Sequence, residues 1–323
     1  MLDKKLILGI DTSNYTTSAA LCTLEGKVVL NLKKLLPVAE GERGLRQSDA
    51  LFAHTKNLPE IMEKLSTFLD ENYPEREIVA VGYSKTPRDV EGSYMPCFLS
   101  GTAVASAVSA TLGCPSYGFS HQNGHVMAAL YSAGKLDLLE GDRSFAAFHV
   151  SGGTTELLLV TPVNGGFSVE LIGGTADINA GQAIDRTGVM MGLRFPCGRE
   201  MESLLEGREM PRSKTRISVK GLECNLSGLE NLAKKLYDET GDAPLISAYC
   251  FDFVADTLCR LTENLRERYP NIPVIYAGGV MSNKRIGARL AGFENTYFST
   301  PEFSSDNAAG TALLCRREFL KNT

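Results

Sequence analysis

No cysteine framework is present in this 323-residue chain: Cys22, Cys97, Cys114, Cys197, Cys224, Cys250, Cys259 and Cys315 are scattered, without a CxxC pair or a short zinc-type spacing. That excludes a zinc ribbon or a disulfide-stapled domain, and the eight read as buried thiols. Positive charge is not in excess either. Thirty-three basic residues face 38 acidic ones, a formal net charge of −5, which excludes bulk electrostatic coating of nucleic acid but leaves room for a local basic patch. No apolar run approaches membrane-spanning length, and Met1-Leu2-Asp3-Lys4-Lys5 enters a strand-like run too brief for a signal core. A reducing cytoplasm is the expected home, and no membrane partner is expected. Histidine is scarce, with four in the chain.

What is present is enough for two lobes, since 43% of the residues are hydrophobic. Leu6 to Ile10, Ser18 to Thr23 and Val28 to Leu32 read as a three-stranded meander. Leu58, Ile61, Met62, Leu65, Phe68 and Leu69 follow helical spacing, Ile78 to Tyr83 is a buried-strand run, and a small-residue helix spans Phe98 to Leu112. The plan then repeats. Phe145 to Val150, Glu156 to Thr161 and Phe167 to Ile172 read as strands, with Asn164-Gly165-Gly166 as a turn. Ala180 to Leu193 reads as a helix, Ile246 to Arg268 as a long one, Val274 to Ala277 as a strand and Asp306 to Leu320 as a terminal helix.

Ser151-Gly152-Gly153-Thr154-Thr155 echoes Ser13-Asn14-Tyr15-Thr16-Thr17, as if one hairpin turn occurred twice. Two such turns suit a grip on one phosphate chain from two sides. The expectation is an α/β, duplicated ribonuclease-H-like fold of the actin, hexokinase and Hsp70 type with a central nucleotide cleft. Residues 1–118, completed by a C-terminal helix over 305–323, would form one lobe and 119–304 the other.

His121 and His125 follow Ser120, a good N-cap, and so fall one turn apart on one helical face. They are either a chelating pair or two unrelated surface histidines. A zincin protease is set aside, because Gln122 cannot replace the glutamate general base of HExxH. Two histidines leave a metal short of ligands; Asp306 is the candidate carboxylate, with an ordinary N-cap as the alternative. Ser151-Gly152-Gly153 offers amides that could cradle phosphate or a reacting carbonyl, or is only a turn. Gly278-Gly279 before Asn283 would let backbone approach a purine and ribose. Asp11 ends the first strand, a common place for an acid that holds a nucleotide-bound metal through water. His149, inside a strand, reads as a core histidine. Arg208, Arg212, Lys214, Arg216 and Lys220 form the densest basic stretch, which could track RNA but more simply reads as a solvated loop.

Taken in order, these pieces resemble the TsaD and Kae-type family of threonylcarbamoyl transferases, which modify the tRNA adenosine beside the anticodon. Leu8-Gly9-Ile10-Asp11-Thr12-Ser13 is similar to the family's opening Gly-Ile-Glu-Thr-Ser, His121 to His125 to its histidine helix, and His149 to Thr154 to its Val-Ser-Gly-Gly turn. Asp177 to Arg186, Gly192 to Gly198, Gly278-Gly279-Val280 with Asn283, and Ser305 to Ala309 complete the set. The resemblance implies that His121, His125 and Asp306 hold one divalent ion, iron or zinc. It also implies that His149, Val150, Ser151, Gly152, Gly153, Asp185, Gly198 and Asn283 line a pocket for an adenine nucleotide or acyl adenylate. Asp11 would act in catalysis by orienting water or a second cation such as magnesium. The acceptor would be tRNA, presented with helper proteins of the TsaB and TsaE type or by a dimer.

The departures change charge. Asn14-Tyr15-Thr16-Thr17 stands where the family reads Cys-Asp-Glu-Thr, and Thr86-Pro87-Arg88 replaces Gly-Pro-Gly. His54 survives from a longer motif, Gln182 stands for Glu and Glu223 for Lys. A divergent paralogue is implied: a transferase, a nucleotide-binding regulatory partner, or a carbamoyl transferase with a non-RNA acceptor.

Overall fold

The computed structural model describes residues 4–13, 15–37, 45–163, 166–304 and 308–323. The elements, in chain order, are β1 (Lys5–Ser13), β2 (Thr16–Thr23), β3 (Val28–Leu35), α1 (Gln47–Asn72), β4 (Glu77–Thr86), α2 (Phe98–Leu112), β5 (Ser116–Ser120) and α3 (His121–Ser132). Then come β6 (Phe145–Val150), β7 (Thr155–Val163), β8 (Gly166–Thr175), α4 (Ala180–Met190), α5 (Gly198–Ser203), β9 (Ser218–Lys220), β10 (Glu223–Asn225) and α6 (Gly228–Thr240). The chain closes with α7 (Ala243–Arg268), β11 (Val274–Ala277), α8 (Lys284–Leu290), β12 (Thr296–Phe298) and α9 (Ala309–Lys321).

Two compact units result, one of Met1–Leu136, Asn164–Gly166 and Ser305–Thr323, the other of Asp137–Val163 and Phe167–Ser304. The first unit runs past residue 118 to include α3. Its sheet has the order β3-β2-β1-β4-β5, with β1 antiparallel to β2 and parallel to β4. Leu6, Leu8 and Ile10 of β1 are buried against Leu58, Ile61, Leu65 and Leu69 of α1. The other face of the sheet carries α9, and α3 comes so near it that a Cβ on Gly310 would overlap the Gly124 carbonyl. Glycine at this crossing lets the first turn of α3 meet the start of α9.

In the second unit the order β8-β7-β6-β11-β12 repeats the first sheet, extended beyond β8 by β10 and the edge strand β9. Again the first strand, β6, is antiparallel to its hairpin partner β7 and parallel to the crossover strand β11. Phe148, Tyr276 and Phe298 stack across β6, β11 and β12 with centroids 5.0 and 5.3 Å apart, fixing these three strands side by side. Against them lies α7, which starts with the Asp242 side chain accepting from the Leu245 amide at 3.0 Å and Pro244 in its first turn. Its face from Ile246 to Leu265 is buried. The helix expected over 180–193 stops at Met190, because Gly192 adopts φ +85° and ends the turn. Both echoed segments are the first hairpin of their sheet: Ser13 pairs with Thr16, and Val150 with Thr155. Asn164 and Gly165 of the expected turn lie outside the described residues, as do Asn14 and the run Ser305 to Asn307.

Candidate functional site

In the first unit the chemistry gathers at the start of α3. Ser120 caps the helix, its hydroxyl accepting from the Asn123 amide at 3.2 Å, so His121 and His125 face the same side with ring centroids 4.2 Å apart. Asp11 at the end of β1 is fully buried, with Oδ1 3.2 Å from His121 Nδ1 and Oδ2 accepting from the Ser13 hydroxyl at 2.6 Å. Burial alone would push the Asp11 carboxyl up. The charge and hydrogen bond of His121, with hydrogen bonds from Ser13 and Ser84, outweigh it and hold the group below its ordinary value. A carboxylate so placed fixes the tautomer of a neighbouring imidazole, putting the ring lone pair on Nε2, the arrangement common behind metal-binding histidines. Asp11 thus stands behind His121, buried from solvent. Asp306 lies outside the described residues; among those described, no group of three His, Cys, Asp or Glu side chains is placed to hold a metal ion.

The altered hairpin carries no acid. Tyr15 is half exposed and Thr16 is buried, while Thr17 is hydrogen-bonded to buried His54 Nδ1 at 2.8 Å and accepts from Asn57 at 3.3 Å. His54 therefore fastens α1 to β2.

In the second unit the expected pocket residues form a linked ring at the ends of β6 and β11. His149, half-buried rather than in the core, pairs with Ala277 on one side and Glu156 on the other. Val150 is buried and offers only backbone, against which Gly278 (φ +104°) packs. The Ser151 hydroxyl accepts from the amides of Gly153 (3.3 Å) and Thr154 (3.1 Å), so the Gly153 amide turns inward, whereas the Gly152 amide has no partner among the described residues. The Ser151 carbonyl accepts from Gly181 at 3.1 Å and Thr155 Oγ1 from Ala180 at 2.8 Å, locking the turn to the first residues of α4. Gln182, which stands where the family has Glu, receives the Asn179 amide at 3.0 Å and caps that helix.

One turn on, Asp185 accepts from the Cys197 amide at 2.7 Å, which sets Gly198 at the start of α5; burial raises the Asp185 carboxyl. Burial, with the charges of Asp185 and Glu200, pushes the Cys197 thiol up to about 11, which disfavours its thiolate. Glu202 of α5 accepts from the Lys284 amide at 2.8 Å, beside Asn283, whose side chain caps α8 through the Ile286 amide at 3.1 Å. A cavity of about 340 Å³ opens beside this ring and touches only Gly153 of its members, with Thr155, Glu156, Gly174, Asn179 and Glu223 among its other walls. An apolar groove of about 290 Å³ between α1 and α2 touches none. Hydrogen bonding, not cavity volume, defines the site.

Sequence reasoning missed the anchor of the basic stretch. Asp252 and Asp256, one turn apart on α7, bind Arg285 and Arg289 at 2.7 and 2.8 Å, and residues of the stretch fasten to the same carboxylates.

The strand order repeated in the two sheets defines a duplicated fold of the actin and hexokinase type. Within that class, the chain belongs to the TsaD family of tRNA N6-adenosine threonylcarbamoyltransferases, whose sequence model matches residues 38–313. A tRNA N6-adenosine threonylcarbamoyltransferase of Streptococcus suis strain 05ZYH33 is 28% identical over 301 residues, 90% of this chain and 84% of that one. One from Streptococcus thermophilus strain ATCC BAA-491 / LMD-9 is 33% identical over 203 residues, 60% of this chain and 57% of that one. Among solved structures, full-length HypF in its phosphate- and nucleotide-bound form superposes with TM-score 0.63 at 12% identity, covering 98% of this chain and 56% of that one, a likeness of fold. The family's work is tRNA threonylcarbamoyladenosine synthesis. No described helix is long and apolar enough to cross a membrane.

Proposed function

We propose that this chain transfers a threonylcarbamoyl group from an acyl adenylate to the exocyclic amine of the tRNA adenosine beside the anticodon. The amine nitrogen bonds to the carbamoyl carbon, the bond from that carbon to the phosphate oxygen breaks, adenylate leaves, and the amine proton passes to solvent. The observation that carries the reading is Gly152. A Cβ there meets nothing within 4 Å and the backbone is outside the left-handed region, so neither packing nor conformation demands glycine. A ligand lying against the turn would.

In this reading Gly152 donates its amide to a phosphate or acyl oxygen, Ser151 holds the turn's shape, and His149, Val150, Asp185, Gly198 and Asn283 frame the nucleotide. His121 and His125, with Asp306, suit a divalent ion such as iron or zinc, because the Asp11 contact leaves a lone pair on Nε2 of His121. Such an ion would supply Lewis-acid polarisation of an oxygen bound to it. Asp11 acts through His121, and a phosphate-bound magnesium would be met outside that pair. A chain of net charge −5 acts on tRNA together with helper proteins of the TsaB or TsaE type, or with a second copy.

A second reading is favoured by Tyr15 and Thr16, which put an aromatic ring and a buried hydroxyl where the family has acids. It is a paralogue that binds nucleotide as a regulatory partner, or one that carbamoylates a non-RNA acceptor. Gly152→Val tests the site common to all these readings. Binding of a non-hydrolysable ATP analogue should fall at least tenfold while the melting temperature stays within a degree or two. Unchanged binding would remove the turn from the site.

A further inference from the structure

Residues 212–220 alternate in exposure. Arg212, Lys214, Arg216, Ser218 and Lys220 are exposed, while Ser213, Thr215, Ile217 and Val219 between them are half-buried. The run ends in β9, the edge strand of the second sheet. Its inward side is pinned. Asp252, 1% exposed, accepts from the Ser213 amide at 2.8 Å and grips Arg285 through both oxygens at 2.7 Å, and Arg285 also donates to the carbonyls of Met210 (3.1 Å) and Pro211 (3.0 Å). Asp256 accepts from the Thr215 hydroxyl at 2.6 Å and from Arg212 at 3.0 Å.

A loop that is merely solvated has no need of this anchoring. Residues 208–217 carry no regular secondary structure, yet five side chains and two carbonyls fix them to α7 and α8. In extended chain, alternate residues stand about 6.5 Å apart. The outward side is therefore a fixed row of cations, and Lys214, Arg216 and Lys220 form no ion pair among the described residues. Fixing the row in advance lowers the entropy lost on binding.

We propose that this pinned row is a docking surface for the phosphate backbone of RNA. It deepens the tRNA reading above and rests on it. The outward positions hold no aromatic or aliphatic anchor of the kind that dominates protein partners, so the contacts are electrostatic and blind to sequence, as phosphate contacts are.

The test titrates the full-length chain with an unmodified tRNA transcript across a KCl series. The triple variant Lys214→Gln, Arg216→Gln, Lys220→Gln should bind at least tenfold more weakly at low salt. Its slope of log affinity against log salt should be shallower by about 2 to 3, at roughly 0.7 to 0.9 per lost phosphate contact. Arg216→Lys and the remote Lys234→Gln should bind as wild type, and all variants should melt alike. An unchanged slope in the triple variant, or no measurable tRNA binding by the wild type, overturns the proposal. Loss of poly-glutamate binding with tRNA binding intact also overturns it and assigns the row to an acidic protein. Transfer activity is read separately. A wild type that binds tRNA through the row without modifying it keeps the surface and removes the transferase, while an active wild type with an unchanged triple variant does the reverse.

Discussion

Asp11 Oδ1 lies 3.2 Å from Nδ1 of His121, and the carboxylate has no exposure to solvent. The acid at the end of the first strand therefore works through the histidine. Asp11→Asn keeps the shape and removes the charge that holds the Nδ1 proton. Zinc affinity should fall about 10- to 100-fold, the range for such supporting partners. Nitrogen-15 NMR of the metal-free protein should show His121 with its proton on Nδ1, a population lost in the variant. A wild-type His121 protonated on Nε2 would contradict this.

Gly181 and Gly152 are both glycine for different reasons. A Cβ on Gly181 would lie 2.6 Å from the Gly152 Cα and 2.8 Å from the Ser151 carbonyl oxygen, backbone that cannot step aside. Gly181→Ala should destabilise by about 1–3 kcal/mol through overpacking, offset in part by better helix propensity. It should also displace the turn and weaken nucleotide binding. Gly152→Val, in contrast, should leave the melting temperature alone.

Asp177 gives the fold an acid limit. Burial would raise its carboxyl, but hydrogen bonds from the Ser227 side chain and the amides of Leu226, Ser227 and Ile178 outweigh burial and hold it well below the ordinary value. The folded pKa is lower than the unfolded one, so the stabilisation is fully present above the unfolded value and is lost as the pH falls from about 4 towards the folded pKa. Asp177→Ala should lower the melting temperature at pH 7 and flatten its fall between pH 5 and about 3. Parallel curves for wild type and variant would show that Asp177 titrates alike folded and unfolded.

Much of this was legible in the sequence where burial is apolar. The expected bounds of α2, β6 and β11 match the structure residue for residue, and the paired hairpins were visible in the echo of Ser13–Thr17 by Ser151–Thr155. The first turns of α1 were missed because their buried face is Ala50, His54 and Asn57, with no large apolar side chain to mark a period. β9, β10 and β12, at three residues each, are too short to show a period. The clamp of Asp252 and Asp256 on Arg285 and Arg289 joins charges 33 residues apart, which only the fold brings together. Likewise the contact of Asp11 with His121 joins residues 110 positions apart, which the sequence alone does not pair.

The most direct measurement is mass spectrometry of unmodified tRNA after incubation with the full-length chain, threonylcarbamoyl adenylate and helper proteins of the family. The expected result is threonylcarbamoyladenosine beside the anticodon, abolished by His121→Ala and by Gly152→Val. Unmodified tRNA, with adenine nucleotide still bound by the wild type, would contradict the transferase and establish the nucleotide-binding paralogue in its place.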